Sequence, residues 1–370
     1  MWRVVAAGLL YAVPLLAWTG NAFQTPKIPF APRVYLCFRT DEPIRVDGKL
    51  NDPAWQKAPW TEDFVDIEGA PKPAPRYRTR VKMLWDDAYF YVAAELEEPN
   101  VWAKLTQRDT IIFHDNDFEV FIDPDGDTHL YYELELNARN TVWDLLLIKP
   151  YRDGGPPVHG WDIHGLRTAV HVDGTLNKPG DTDRGWTVEI AFPWGALREC
   201  AGTETPPRSG DRWRVNFSRV EWQTRVENGR IEKVLDPKTG KPLPEDNWVW
   251  SPQGLINMHY PEMWGIVEFR EERSKGLRPV ALTKAERAQW LLRQVYYAER
   301  QQQLKTGQFT DDLKALHLSL PQWQDCRALP EVETTQSRFE ATLPCPETGQ
   351  LWHIREDGRV WSTVLQPGKM

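Results

Sequence analysis

Periodicity constrains this chain more than any other feature. From Arg33 to about Phe269 apolar residues recur at every second position in short runs, and Pro, Gly, Asn and Asp break the runs. Alternation at two residues sends successive side chains to opposite faces of a strand, so such a stretch folds as short β-strands joined by turns. In RTRVKMLWDDAYFYVAAEL, Val81, Met83 and Trp85 share one face, Asp86 and Asp87 turn the chain, and Phe90, Val92, Ala94 and Leu96 share the next. GWTVEIAFPW aligns Trp186, Val188, Ile190 and Phe192, and RWRVNFSRVEW aligns Trp213, Val215 and Phe217. Strands at this spacing predict an all-β fold, an antiparallel sandwich or barrel over residues 30–270.

The two ends follow other rules. MWRVVAAGLLYAVPLLAWTGNAFQ has one Arg3, an apolar run from Val4 to Trp18, and small residues at Gly20 and Ala22. This predicts a signal peptide over 1–22 cut after Ala22, with a buried helix or a membrane anchor as the alternatives. The mature protein is then expected to be secreted, periplasmic or held at the cell surface, without a membrane span. Residues 271–282 read as a linker. Residues 283–366 read as a small α+β domain, a helix plus a hairpin. Its helix opens on Thr283 with Glu286 three residues later, a capping box, and Glu356-Asp357-Gly358 predicts a turn between strands. Export makes disulfides possible among Cys37, Cys200, Cys326 and Cys345. Cys326 and Cys345 share the small tail domain and are expected to pair, whereas Cys37 and Cys200 are left open.

The formal net charge of −8 argues against a nucleic-acid partner. For catalysis there is no nucleophile elbow, no HExxH and no CxxC. Carboxylate pairs are plentiful, but a glycoside hydrolase is diagnosed by their separation, which a sequence does not give. Two long polar insertions, KPYRDGGPPVHG and residues 225–247, belong on the surface and often border a binding site.

The stretch HDNDFEVFIDPDGDTHLYYELELNARN sharpens the question. Phe118, Val120 and Ile122 face one way, with Glu119, Phe121 and Asp123 opposite; Tyr132, Leu134, Leu136 and Ala138 oppose Glu133, Glu135, Asn137 and Arg139. The polar side is either a solvated sheet face or a ligand face. In DPDGD, Asp123, Asp125 and Asp127 place hard oxygen donors at alternate positions, which suits structural calcium or else a plain turn.

The motifs IRVDGKLNDPAWQKA, VKMLWDDAYFYVAAEL, DNDFEVFID, YYELELNARN, GWTVEIAFPW, WRVNFSRVEW and MHYPEMWGIVEF occur in the order seen in family 9 carbohydrate-binding modules, which the chain resembles over about two thirds of its length. The resemblance implies a jelly-roll-like sandwich, an oligo- or polysaccharide partner, bound calcium and no catalysis by the module. In that alignment Glu119 matches the family's acidic residue and Phe113 stands where tryptophan is usual. The second aromatic wall falls at Met258, so the clamp is either rebuilt from the nearby Tyr260 or incomplete. Flat rings for the sugar face and planar polar groups for its hydroxyls are then expected from Phe113, Glu119, Glu135, Asn137, Arg139, Met258 and Tyr260. Haem-binding DOMON-like relatives are the rival, with Met258, His259 and Met263 as candidate ligands. The tail resembles the globular part of a type IV pseudopilin, and a protein partner is expected to dock there.

Overall fold

The alternating runs pair as strands where the period places them. The computed structural model describes residues 23–272, 282–318 and 329–366. The first part contains β1 (Val34–Arg39), β2 (Val65–Asp66), β3 (Thr79–Trp85), β4 (Tyr89–Glu97), β5 (Asp117–Asp123), β6 (Tyr131–Asn137), β7 (Val142–Leu147), β8 (Pro157–Val158), β9 (Arg167–Asp173), β10 (Gly185–Pro193), β11 (Arg212–Glu221), β12 (Thr224–Glu227), β13 (Arg230–Lys233), β14 (Asp246–Val249) and β15 (Gly265–Arg270). Two short helices, α1 (Pro53–Lys57) and α2 (Trp194–Leu197), interrupt them.

One curled sheet carries all of these except the β12–β13 hairpin, in the order β8-β7-β6-β5-β11-β15-β1-β3-β4-β10-β9, with β14 beside β11 and β2 beside β14. Its halves face each other. Phe118, Val120, Ile122, Leu134 and Leu136 from one half pack with Val81, Met83, Val92, Ala94, Val188 and Ile190 from the other in a single core, which makes the fold a sandwich. Six of the chain's nineteen tryptophans, Trp85, Trp186, Trp194, Trp213, Trp248 and Trp250, are buried in that core. The β3–β4 hairpin has the expected register, with Val81 opposite Ala94 and Trp85 opposite Phe90. Asp86 Oδ1 holds its turn by accepting from the N–H groups of Ala88 and Tyr89. Strand direction differs from the expectation at one place: β1 runs parallel to both β15 and β3. Alternation is the same for either direction, so the period does not distinguish them.

The tail is α3 (Lys284–Thr306) on a four-stranded antiparallel sheet of β16 (Glu331–Thr334), β17 (Phe339–Cys345), β18 (Gln350–Arg355) and β19 (Val360–Val364). The capping box forms as read: Glu286 N–H donates to Thr283 Oγ1 at 3.1 Å and Thr283 N–H donates to Glu286 Oε2 at 2.7 Å. Gly307 ends α3 with φ +82°, a left-handed cap. The tail does not stand apart, however. Leu292, Val295, Tyr296 and Tyr297 of α3 share one core with Leu255, Tyr260 and Met263 of the sandwich and with Phe23, Ile28 and Phe30 of the N-terminal arm. A domain this small buries little apolar surface alone, and the tail obtains its core by packing on its neighbour.

The signal-peptide residues 1–22, linker residues 273–281 and Cys326 lie outside the described residues. Cys345 is buried at the end of β17, and Cys200 is a buried free thiol, which leaves it unjoined to Cys37. No helix of the described residues is long and apolar enough to cross a membrane.

Candidate functional site

Strands β5 and β6 send Phe118, Val120, Ile122, Tyr132, Leu134 and Leu136 into the sandwich core, so their other side chains form one outward row. Register brings that row together: Glu119 lies opposite Glu135 on β6 and Ser218 on β11, Asp117 opposite Asn137, and Glu135 opposite Trp143 on β7. The solvated-face alternative fails here. Asp117, Glu119, Glu133 and Glu135 are all buried, Glu119 to 5% exposure and Glu135 to 2%. Ile112, Trp143, Val249, Met258 and Trp264 pack with Phe121 and Tyr131 as a cover over this side.

Burying carboxylates side by side without counter-charge is costly. Donor oxygens of Asp117, Glu119 and Glu135 all lie within 4.8 Å of one another. None of these three, nor Glu133, forms an ion pair with a basic side chain among the described residues. Burial pushes the Glu119 carboxyl up to about 7, with Glu245 adding to the effect. Burial first, and then the neighbouring carboxylates, pushes Asp117, Glu133 and Glu135 well above their ordinary range. Asp117 Oδ2, Glu133 Oε2 and the indole Nε1 of Trp143 have no hydrogen-bond partner.

The residues singled out by sequence separate into two groups. Phe113, Glu119 and Glu135 are brought together. Phe113 lies in the short turn Ile112–His114, and the N–H groups of Ile112 and Phe113 both donate to Glu135 Oε2 at 3.0 Å. The Phe113 ring is half-buried against Trp102, Val220, Trp222 and Ile231, and Trp222 Nε1 donates to its carbonyl at 2.8 Å. Ile231 and the nearby Lys233, whose ammonium sits 3.2 Å from the Trp222 ring centroid, come from the β12–β13 hairpin. The second long insertion therefore walls this end, as its polarity suggested. Met258 is part of the cover.

Three others are placed differently. Asn137 is consumed internally: its amide donates to Leu105 O and Asp115 Oδ2, and its carbonyl accepts from the N–H groups of Arg139 and Thr141. Arg139 is exposed beyond the strand end, with Nε donating to Ala103 O at 2.9 Å. Tyr260 belongs to the core shared with α3, and its hydroxyl donates to Gln24 O, so it does not rebuild the aromatic wall. It lies only two residues from Met258, and the short helical turn Pro261–Met263 that follows it is part of the tail interface.

Sequence reasoning missed Trp143 and Tyr151, and it named His259 only as a candidate haem ligand. The His259 ring approaches Tyr151 edge-on at 4.5 Å and Phe121 at 5.9 Å, with Nδ1 2.9 Å from the Tyr131 hydroxyl. Burial, then the Arg152 guanidinium, pushes it down to about 3, so it is neutral. Burial and the charges of Glu133 and Glu135 push the half-buried Tyr151 phenol up. Its place in the KPYRDGGPPVHG insertion was the available signal.

The DPDGD loop is satisfied by its own chain. Asp123 accepts from the N–H groups of Gly126 and Thr128, Asp125 from that of Asp127, and Asp127 from that of His129 and from Arg359 Nε at 2.9 Å. Its three carboxylates converge within 4.8 Å, five of their six oxygens accept from the chain's own donors, and Arg359 pairs with Asp127. These bonds hold the turn, and the converging hard oxygens are the donors that the expected calcium would use.

Residues 46–209 match the family described as carbohydrate family 9 binding domain-like. Exoglucanase XynX of Acetivibrio thermocellus is 27% identical over 161 residues, 43% of this chain and 12% of that enzyme. Endo-1,4-beta-xylanase A of Thermoanaerobacterium saccharolyticum is 26% identical over 122 residues, 33% of this chain and 9% of that enzyme. The chain thus spans a small part of both relatives. Among solved structures, a carbohydrate binding module family 9 from Caldicellulosiruptor kristjanssonii in complex with cellotriose superposes with TM-score 0.42 and 15% identity, covering 67% of this chain and 99% of that one.

Proposed function

We propose, taking the carbohydrate family 9 binding domain-like match of residues 46–209 as premise, that this is an exported protein that binds an oligo- or polysaccharide without catalysis. The binding face is the side of β5 and β6 that carries Glu119 and Glu135. One observation carries the reading: the half-buried Phe113 ring is anchored through its own backbone to Glu135, beside carboxylates with unpartnered oxygens. A flat apolar surface next to planar acceptors is what a sugar's C–H face and hydroxyls require. The haem alternative has less support, because Met258 and Met263 lie in different cores and His259 Nδ1 is engaged by Tyr131.

Affinity is bounded by ligand size. At roughly 0.3 kcal/mol per atom for about 23 heavy atoms, a disaccharide gains about 7 kcal/mol, a Kd at or weaker than roughly 10 μM. Calorimetry against cellulose-, xylan- and chitin-derived oligosaccharides tests the proposal. Phe113→Ala and Glu119→Gln are each expected to weaken binding at least tenfold with circular dichroism unchanged. A folded wild type that binds none of a broad glycan panel refutes it, and a Soret band in the purified protein favours the haem reading instead.

A further inference from the structure

We infer that the junction of tail and sandwich holds a buried site for one monatomic anion of the chloride class, between Arg214 of β11 and Arg293 of α3. Both guanidiniums line a cavity of about 20 Å³, together with Glu262, Gln289, Phe30 and Trp290. A single water takes about 10–15 Å³, so one particle of that order fits, whereas a tetrahedral oxyanion or a carboxylate does not. The Phe30 and Trp290 rings stack at 4.1 Å as the apolar wall, and the Arg214 guanidinium lies 5.5 Å from the Phe30 centroid. None of these residues belongs to the face assigned to sugar, so the site is tested apart from that reading.

The charge balance requires a partner there. A guanidinium stays ionised and carries donors only. Arg293 is 2% exposed, its Nη1 has no hydrogen-bond partner, and its Nη2 donates to Thr128 Oγ1 at 3.4 Å. Arg214 is 7% exposed and donates Nη1 to Trp264 O at 3.3 Å. Neither forms an ion pair with a carboxylate among the described residues. The acids around them are engaged elsewhere. Glu262 accepts from Arg152 and the Tyr297 hydroxyl, and Glu286 pairs with Arg212 at 2.9 Å. Asp123, cross-strand from Arg214, accepts from the N–H groups of Gly126 and Thr128. Burial pushes the Arg214 guanidinium below its ordinary value, the direction of a desolvated charge that its neighbours do not fully compensate. Buried donors are nearly always satisfied, and a buried charge without a partner is unfavourable. A water would accept from these N–H groups and leave both charges in place; a halide accepts from them and offsets one charge. The Gln289 amide can add a neutral donor.

The experiment uses the full mature chain dialysed free of halide, with ionic strength held constant by sodium methanesulfonate, whose anion is too large for the cavity. Replacing that salt with sodium chloride is expected to raise the melting temperature by several degrees, increasing with chloride concentration as mass action requires, and sodium bromide to act alike. Equilibrium dialysis against radiolabelled chloride should find one equivalent bound. Arg293→Met and Arg214→Met each remove the bound chloride and the shift, whereas Arg208→Met, at a surface pair with Glu204, keeps both. Arg293→Lys and Arg214→Lys keep the charge with fewer donors, and each should raise the chloride needed for half-saturation about tenfold, the loss of one hydrogen bond to a charged group. Dialysis is read at a temperature where circular dichroism shows each variant folded, and the lysine variants decide if a methionine variant does not fold. The inference is overturned if wild type binds no chloride and melts alike in both salts, the cavity then holding water alone. It is also overturned if the lysine variants bind chloride as tightly as wild type.

Discussion

Replacing Arg152 should reveal how firmly the tail is welded to the sandwich. Its side chain is 6% exposed and lies between the two parts. It pairs with Glu262 at 2.9 Å and Asp153 at 3.3 Å, donates to His259 O at 3.2 Å, and stacks its guanidinium 4.0 Å from the Tyr260 ring centroid. Arg152→Ala leaves Asp153 with Arg300 and the Tyr296 hydroxyl, but leaves buried Glu262 with the Tyr297 hydroxyl as its near donor. Breaking a buried pair from one side costs about 3–5 kcal/mol, because the remaining charge is still desolvated. The assay is urea unfolding followed by tryptophan fluorescence and far-ultraviolet circular dichroism. Both probes should report one transition in wild type, since α3 and the sandwich share a core, and its midpoint should fall in the variant. The effect also carries a pH signature. Burial alone would raise the Glu262 carboxyl, but Arg152, Arg293 and the Tyr297 hydroxyl together outweigh it and hold it below the ordinary range, with Arg152 the largest of the three. A depressed carboxylate contributes stability present above the unfolded value, about 4.3 for Glu, and lost as pH falls through the folded one. Wild type should therefore lose this contribution on acidification, and the variant, left with Arg293 and the Tyr297 hydroxyl, should have less of it to lose. A loss under about 1 kcal/mol, or a tail that melts in a separate transition, refutes the argument.

Two further outcomes are expected. Thr283→Ala removes the acceptor that Glu286 N–H uses and should cost about 1 kcal/mol in the same urea assay, with Thr283→Ser largely neutral. In the tail-facing loop, Arg359→Ala leaves Asp127 Oδ2 without its guanidinium and frees the space beside the three aspartates; it should lower stability in EDTA, and a urea midpoint equal to that of wild type would contradict the assignment of this bond to holding the turn.

Period-two alternation is a local property, and what depends on local alternation was legible in the sequence. It identified the inward rows of β3, β4, β5, β6, β10 and β11, the hairpin turn at Asp86, and the α3 capping box at Thr283. It also placed Glu119 and Glu135 on a common outward row, because cross-strand register follows once the apolar rows face the core. Whether that row meets water depends on residues far along the chain. The cover of Ile112, Val249, Met258 and Trp264 is assembled from segments more than a hundred residues apart, and no alternation within β5 and β6 records it. The fates of Asn137, Tyr260 and the aspartates of DPDGD were decided in the same way, by Leu105 and Asp115, by the α3 interface, and by Arg359 at the opposite end of the sequence. Side-chain identity reveals which groups can accept a hydrogen bond; only the tertiary structure reveals which acceptors the protein has already used, because their donors arrive from elsewhere in the chain.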